Sequence, residues 1–187
     1  VEGRHDLAAG LARRALEALE LSEDELSIAV AKQLLAYIEL ERGDANAALG
    51  LLREARPTVD RLGDAETRAR FLLEEARALA GTGEPDAARE LAIEVAPVLE
   101  RTARVDAGRC FVVLGDLWVE FGEPDAATGA YDVAIAKLSG HRSPWLARAY
   151  KQKSALLEAG GDRDGALELL KRALDAEVDV SLHPRPA

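Results

Sequence analysis

One glycine-led segment recurs at intervals of 39 or 40 residues, and this repeat constrains the fold more than any other feature of the sequence. Clear copies begin at Gly43, Gly83, Gly122 and Gly161, among them "GEPDAARELA" and "GEPDAATGAY", and a weaker copy begins at Gly3. A period of this length is typical of arrays in which one supersecondary unit stacks on the next. The chain is therefore expected to fold as a series of similar units.

Each copy predicts a turn between two helices. Glycine adopts the left-handed backbone that ends a helix, and the acidic residue after it places negative charge at the start of the next one. Pro85 and Pro124 fall in that first turn, where the missing N–H costs nothing. No Gly-Lys-Ser/Thr sequence follows these glycines, which argues against a phosphate-binding loop. We call Gly43, Gly83, Gly122 and Gly161 the corner glycines.

The stretches between corners predict two helices per repeat. First helices are expected over about 23–42, 64–81, 103–121 and 143–160, and second helices over about 44–62, 84–101, 123–138 and 162–177. Ser22 and Glu25 form a predicted capping box at the start of one first helix. Pro57 and Pro97 each lie 14 residues after a corner glycine, so their helices are expected to kink or end there.

These helices are predicted to form a single repeat domain over residues 1–177. It comprises a half repeat at 1–21 and four repeats at about 22–62, 63–101, 102–140 and 141–177, followed by a flexible C-terminal tail at 178–187. Small residues stand five and twelve positions after each glycine. They are Ala8, Ala48, Ala88, Ala127 and Ala166, then Ala15, Ala55, Val95, Ala134 and Ala173. Because small side chains let helix backbones approach closely, this series predicts a repeated helix–helix seam.

The composition favours an all-α fold in the cytoplasm. Aromatic residues are 4% of the chain, whereas Ala, Leu, Glu and Arg dominate. A formal net charge of −10 opposes direct contact with nucleic acid or an anionic membrane surface. Cys110 is the single cysteine, which fits a reducing compartment, and there is no span-length apolar run or signal peptide. Abundant Ala, with 19 Arg among 24 basic residues, suggests a GC-rich bacterial source.

The third repeat resembles the tetratricopeptide (TPR) family. Its matching residues are Phe111, Leu114, Gly115 and Trp118 on the first helix, then Gly122, Ala127, Tyr131 and Ala134 on the second. Glu39, Glu75 and Lys153 depart from the pattern, and the proline that closes a TPR repeat is missing. The resemblance implies an all-α, right-handed solenoid of antiparallel helix pairs. The long period is similar to the C-terminal sensor arrays of bacterial transcription regulators, which carry a DNA-binding domain and an NTPase switch module upstream.

The sequence offers no recognisable catalytic set. We find no Ser/His/Asp combination, no HExxH and no dinucleotide-binding fingerprint. His5, His141 and His183 have no metal ligand at the right spacing, and Cys110 is interpreted as a small buried residue rather than a nucleophile. Trp118 and Trp145 are interpreted as packing residues. We therefore expect a noncatalytic protein without cofactor or metal.

In the TPR family the first helices line a concave surface, and the resemblance assigns that surface here. The implied positions are Val30, Gln33, Tyr37 and Leu40, then Arg70, Leu73 and Arg77, then Arg109, Val112 and Asp116, then Arg148, Lys151, Ala155 and Glu158. Five of them are cations, which favours an acidic or extended peptide, a protein, or a small anionic effector as ligand. The alternative is that these cations pair with Asp and Glu on neighbouring helices.

Two hypotheses about function follow. In one, the chain is an interaction or effector-sensing module, an excised piece of a larger bacterial transcription regulator, that passes ligand occupancy to upstream domains. In the other it is a general TPR scaffold without a switch. Leucines at both ends, Leu7, Leu11 and Leu16 and then Leu167, Leu170 and Leu174, lack a capping helix. These ends are expected to dock onto further repeats or to form a homodimer.

Overall fold

The computed structural model describes residues 2–21, 24–101, 105–141 and 143–182, and in this part of the chain it contains helices and no strand. The helices are α1 (Glu2–Glu20), α2 (Glu25–Glu41), α3 (Ala45–Leu62), α4 (Ala65–Gly81), α5 (Pro85–Glu100), α6 (Val105–Glu120), α7 (Pro124–Leu138), α8 (Pro144–Ala159) and α9 (Arg163–Leu182). Even-numbered helices are the predicted first helices, and odd-numbered helices are the second. The all-α class is confirmed.

The helix boundaries lie close to those predicted, except at the C-terminus. There α9 continues to Leu182, five residues past the predicted end at 177, and only 183–187 of the predicted flexible tail lie outside the described residues. Ser22 of the predicted capping box also lies outside them, and the cap of α2 is Asp24, whose side chain accepts from the Ser27 N–H. No helix in the described part combines the length and apolar character that a membrane span requires.

The corner glycines share one backbone geometry. Their φ angles are +84°, +87°, +73° and +91° in chain order. At every corner the N–H after the glycine donates to the carbonyl five residues earlier at 2.9 Å, as Asp44 does to Glu39 and Glu123 does to Trp118. This is the Schellman arrangement, which satisfies carbonyls at a helix end and requires a left-handed residue. The predicted helix–turn–helix corners are therefore present.

Of the two outcomes expected at Pro57 and Pro97, a kink or a helix end, the helix end is wrong. Helix α3 runs to Leu62 and α5 to Glu100, so each continues past its proline. Both prolines are exposed, and a fully buried residue follows two positions later: Val59 is 0% and Leu99 is 1% exposed. Burial of that side chain holds the last turn in the helix and offsets the one backbone hydrogen bond that proline removes.

The chain divides into two compact units, Val1–Val98 and Leu99–Ala187, and each is a stack of helix hairpins. In unit 1, α2 packs against α1, α3 and α4, and α3 also contacts α4. In unit 2, α7 and α8 contact each other, α6 contacts both of them, and α9 packs on α8. The same neighbour pattern therefore occurs in each unit. The predicted single repeat domain over 1–177 stays a prediction.

The predicted seam is buried in every copy except the first. The eight residues from Ala48 to Ala173 in the two series are 0–4% exposed. In the first copy Ala8 is half-buried and Ala15 is exposed, whereas Ala9 and Ala12 are buried against Leu35 and Ile38 of α2. The seam helices α3, α7 and α9 each pack on the first helix of their own hairpin, and no described helix takes that place for α1. That absence explains why the prediction is wrong for Ala8 and Ala15.

Glu39, Glu75 and Lys153, the three residues that depart from the TPR pattern, form ion pairs between helices. Glu39 is 4% exposed and accepts from Arg13 of α1 at 2.7 Å and from Arg42 at 2.9 Å. Glu75 of α4 pairs with Arg56 of α3 at 2.5 Å. Lys153 of α8 pairs with Asp132 of α7. In unit 1 the second helix α3 carries the basic partner and the next first helix, α4, the acidic one. In unit 2 the charges are reversed, with the acid on α7 and the base on α8.

The corner geometry yields a prediction with a matched control. Gly43→Ala should destabilise the fold by about 1–2 kcal/mol, because a Cβ is strained at positive φ even though no atom lies within 4 Å of it. Gly50→Ala, in the exposed interior of α3 and equally open, should stabilise by about 0.5–1 kcal/mol. Urea unfolding followed by circular dichroism measures both effects. Changes of the same sign would contradict the assigned role of Gly43.

Candidate functional site

The eight predicted site residues fall into two groups, one in each unit. Gln33, Tyr37, Arg70 and Arg77 lie on α2 and α4, and Arg109, Asp116, Arg148 and Lys151 lie on α6 and α8. Two neighbouring positions that the resemblance placed on the concave surface, Leu73 and Val112, are 1% and 0% exposed. Both side chains belong to the cores of their units, so neither can contact a ligand.

Arg77 is the centre of the group in unit 1. Its guanidinium donates from Nη1 to Glu74 at 2.8 Å and from Nη2 to Glu41 of α2 at 2.8 Å, and lies 5.7 Å from the ring centroid of Tyr37. The side chain is only 16% exposed. Burial lowers the pKa of Arg77, but Glu74 and Glu41 outweigh this and raise it above its ordinary value. Arg77 therefore holds α4 to α2 as a permanent cation.

Asp116 is the corresponding centre in unit 2. Its Oδ1 accepts from the Tyr131 hydroxyl at 2.8 Å and from Gln152 Nε2 at 3.3 Å, and its Oδ2 accepts from Arg148 Nη2 at 2.7 Å. These donors come from α7 and α8, whereas Asp116 lies on α6. The carboxylate thus joins three helices, and charge-assisted hydrogen bonds of this kind are the strong ones in proteins.

The Tyr131 ring reaches Asp116 because Gly115 leaves room for it. The ring is fully buried, and a Cβ on Gly115 would overlap its edge. Burial, followed by the negative charge of Asp116, raises the pKa of Tyr131 far above its ordinary value. Tyr131 therefore remains a hydrogen-bond donor to Asp116 over the whole physiological pH range.

Two arginines approach one indole in unit 2. The guanidinium carbon of Arg109 lies 5.6 Å from the ring centroid of Trp145, and that of Arg148 lies 5.3 Å from it. Both distances are within the range of cation–π attraction. Trp145 is half-buried, and the Arg148 side chain is 42% exposed. Trp145 thus brings together two cations from different helices, a role that the sequence analysis did not assign to it.

The other predicted cations also have carboxylate neighbours. Lys151 donates to Glu177 of α9 at 2.6 Å, and Arg70 lies 3.8 Å from Glu66 one turn earlier on α4. Four of the five predicted cations thus have a described carboxylate partner. For Arg77, Arg148 and Lys151 that partner lies on a neighbouring helix, as the pairing alternative expects, whereas the partner of Arg70 lies on its own helix. Among the described residues, no group of three or more His, Cys, Asp or Glu side chains is placed to hold a metal ion. Cys110 is buried, His141 is exposed, and the side chains of His5 and His183 lie outside the described residues.

The sequence carried a signal for the indole contact. Trp145 and Arg148 are three positions apart, a spacing that places both on one face of a helix. The other contacts join different helices: Arg109 of α6 approaches Trp145, and Gln152 and Tyr131 approach Asp116. Spacing along one helix does not reveal contacts of this kind.

Similarity to known proteins is found at the level of structure. No protein-family model and no curated protein sequence matches the chain. Among solved structures, a Rap protein complexed with competence and sporulation factor superposes with a TM-score of 0.81 at 19% identity, covering 95% of this chain and 50% of that one. BtubC (BKLC) from P. vanneervenii superposes with a TM-score of 0.72 at 21% identity, covering 100% of this chain and 78% of BtubC.

A protein described as a TPR protein is also similar. TTC0263 from Thermus thermophilus has a TM-score of 0.63 at 23% identity, and the match covers 97% of this chain and 89% of TTC0263. At these identities the likeness concerns the fold. The chain has a TPR-like fold, which confirms the resemblance drawn from the third repeat. It spans half the length of the Rap protein.

The Arg77 network predicts a large cost of mutation. Arg77→Met should lower the free energy of unfolding by about 3–5 kcal/mol, because it removes the guanidinium that pairs with the buried Glu74 carboxylate. Arg53→Met is the control, since Arg53 is 63% exposed and 3.7 Å from Glu84, and should change stability by less than about 0.5 kcal/mol. Denaturant unfolding compares the two variants. Equal effects would show that the network adds nothing beyond a surface ion pair.

The raised pKa of Tyr131 predicts a pH dependence. Above about pH 10 an unfolded tyrosine ionises while Tyr131 stays neutral in the fold, so the wild type should lose stability as pH rises further. Tyr131→Phe removes this contribution. The stability difference between wild type and variant should therefore shrink from about pH 9 to pH 11 in urea titrations. A difference independent of pH would contradict the buried, Asp116-bonded state of Tyr131.

Proposed function

We propose that this chain is a noncatalytic binding module that receives a protein or peptide on the exposed face of its first helices. The TPR-like fold supports the general role. The observation that carries the specific form is the approach of Arg109 and Arg148 to Trp145 in unit 2. In this proposal a carboxylate of the ligand, from an acidic side chain or a chain terminus, binds the two guanidinium groups while apolar ligand atoms contact the indole.

Arg148 has the donor geometry that this role needs. Arginine has five N–H donors in a fixed planar arrangement, and the described contact of Arg148 with Asp116 uses one of its nitrogens. Packing against an aromatic ring restricts the guanidinium without consuming its N–H groups, which lowers the entropy lost on binding. Asp116, held by Tyr131 and Gln152, fixes the direction of Arg148. We assign Arg109, Trp145 and Arg148 to ligand contact and Asp116 to positioning.

The four predicted residues of unit 1 receive different roles. Arg77 is treated as structural, because it is largely buried and bonded to two carboxylates. Gln33, Tyr37 and Arg70 remain proposed ligand contacts on the α2 and α4 faces. Lys151 of unit 2 is 47% exposed, and we propose that it extends the cationic surface on α8.

Fluorescence anisotropy with labelled short peptides tests the proposal. Peptides rich in Asp and Glu are compared with matched peptides that contain Asn and Gln. The acidic peptides should bind more tightly, and Arg109→Gln and Arg148→Gln should each weaken binding by about tenfold, since each removes a charge-assisted contact. Arg172→Gln is the matched control, because Arg172 is 57% exposed on α9 and pairs within that helix. Equal affinity for the acidic and the amide peptides, or an affinity that neither substitution changes, would overturn this function.

The proposal extends to the effect of ligand binding on the rest of the protein. We propose that the module senses its ligand and passes occupancy to upstream domains of a bacterial transcription regulator, as the resemblance of its long repeats implies. The fold likeness to a Rap protein complexed with competence and sporulation factor supports the ligand-binding part of this role. A scaffold without a switch would bind without a change in conformation. Hydrogen exchange measured with and without ligand distinguishes the two roles. A sensor must have two states that differ in ligand affinity, so ligand binding should change its exchange pattern by shifting it between these states.

A further inference from the structure

The cationic site of unit 2 contains a carboxylate of its own. Asp116 Oδ2 accepts from Arg148 Nη2 at 2.7 Å, and the guanidinium carbon of Arg148 lies 5.3 Å from the Trp145 ring centroid. A ligand anion that binds the remaining nitrogens of Arg148 therefore shares this guanidinium with Asp116. Ordinary hydrogen-bond lengths place the two anionic groups roughly 5–7 Å apart. The negative charge of Asp116 thus acts directly on a ligand bound to Arg148.

Asp116 is fixed in this position. The Tyr131 hydroxyl and Gln152 Nε2 donate to its Oδ1 at 2.8 Å and 3.3 Å, so donors from α7 and α8 hold this side chain of α6. The Asp116 side chain is 20% exposed, whereas that of Arg148 is 42% exposed. The carboxylate therefore stays in place when a second anion approaches Arg148 from solvent.

A second acid lies beside the same network. Glu120 follows Asp116 by four positions on α6, which places it one turn further along the same face of the helix. Burial, then Asp116, and to a smaller extent Glu120 raise the pKa of Tyr131 above its ordinary value, so the charge of Glu120 reaches the Tyr131 hydroxyl. Glu120 is exposed, and its effect at the site is therefore weaker than that of Asp116.

The charge of the ligand decides how strongly these acids matter. The attraction of an anion to the arginines is proportional to its charge, whereas the cost of removing it from water grows with the square of that charge. An aspartate or glutamate side chain carries one negative charge, and a phosphate monoester carries about 1.5–2 at pH 7. Because Asp116 offsets part of the positive field, the attraction compensates the dehydration of a monoanion more readily than that of a dianion. The formal charge of −10 on the chain acts in the same direction.

We propose that Asp116 makes this site selective for singly charged carboxylates over doubly charged phosphate esters. The inference rests on the proposed function, since it names the class of ligand that the Arg109 and Arg148 site accepts. Asp116 has two roles in it: its hydrogen bond directs Arg148, and its charge disfavours the dianion. The segment that binds here then carries Asp or Glu side chains, and phosphoserine does not replace them.

Three labelled peptides that differ at one central position test this selectivity by fluorescence anisotropy at about pH 7.5, where the phosphate is a dianion. The position holds aspartate, phosphoserine or asparagine, and both termini are blocked so that they carry no charge. The wild type should bind the aspartate peptide more tightly than the phosphoserine peptide. Asp116→Asn, which keeps the shape of the side chain without its charge, should shift this preference toward the phosphoserine peptide by at least about tenfold.

Three further variants separate the charge of Asp116 from its hydrogen bonds. Asp116→Glu retains the charge and should retain the preference for the aspartate peptide. Tyr131→Phe removes one hydrogen bond to Asp116 and no charge, so it should weaken both acidic peptides equally and leave the ratio of their affinities unchanged. Glu120→Gln should shift the ratio in the same direction as Asp116→Asn but by a smaller factor, because Glu120 is exposed.

Glu168→Gln is the matched control, because it removes one negative charge from α9, where Glu168 is 57% exposed and pairs with Arg172 of the same helix. It should leave the ratio as in the wild type, and circular dichroism should show native helicity in every variant. A wild type that prefers the phosphoserine peptide, or an unchanged ratio in Asp116→Asn, would overturn the inference while both acidic peptides still bind more tightly than the asparagine peptide. Equal affinity of the wild type for all three peptides would instead overturn the proposed function itself.

Discussion

Close approach of two helices through small side chains is the contact on which each hairpin of this structure depends. Alanine at the seam, as at Ala48 and Ala134, brings backbones near enough for neighbouring leucines to be fully buried. The corner glycines complement the seam, because their left-handed backbone reverses the chain within a few residues. Together these two features explain why the sequence repeats: each copy must rebuild the same turn and the same contact.

Local features of the sequence predicted the helices and corners well. Hydrophobic periodicity and the glycine corners set the helix boundaries, since the interactions that decide them are close along the chain. The prolines show the limit of that reasoning. Pro57 carries a local signal for a helix end, but burial of Val59 two positions later keeps the turn helical. Such burial depends on residues distant in sequence. The prediction for Ala8 and Ala15 is wrong for a different reason, because no described helix pairs with α1 as the seam requires.

The candidate site was less predictable. Sequence position placed Arg77 and Arg148 on equivalent faces of two first helices, yet their surroundings differ. Arg77 is enclosed by Glu74 and Glu41, whereas Arg148 is half-exposed beside Trp145. Which of two similar arginines is structural depends on the helix packed next to it. The repeat pattern therefore identified candidate binding residues, but it did not distinguish the structural arginine from the exposed one.

The paired charges between successive hairpins bear on how such a chain can change over evolution. Arg56 faces Glu75 in one unit, and Asp132 faces Lys153 in the other, with the signs reversed. Exchanging α4 and α8 would set two acidic side chains against each other at one junction and two basic ones at the other. The repeated hairpins of this protein are therefore not interchangeable at these two junctions, and their order along the chain decides whether the facing charges attract or repel.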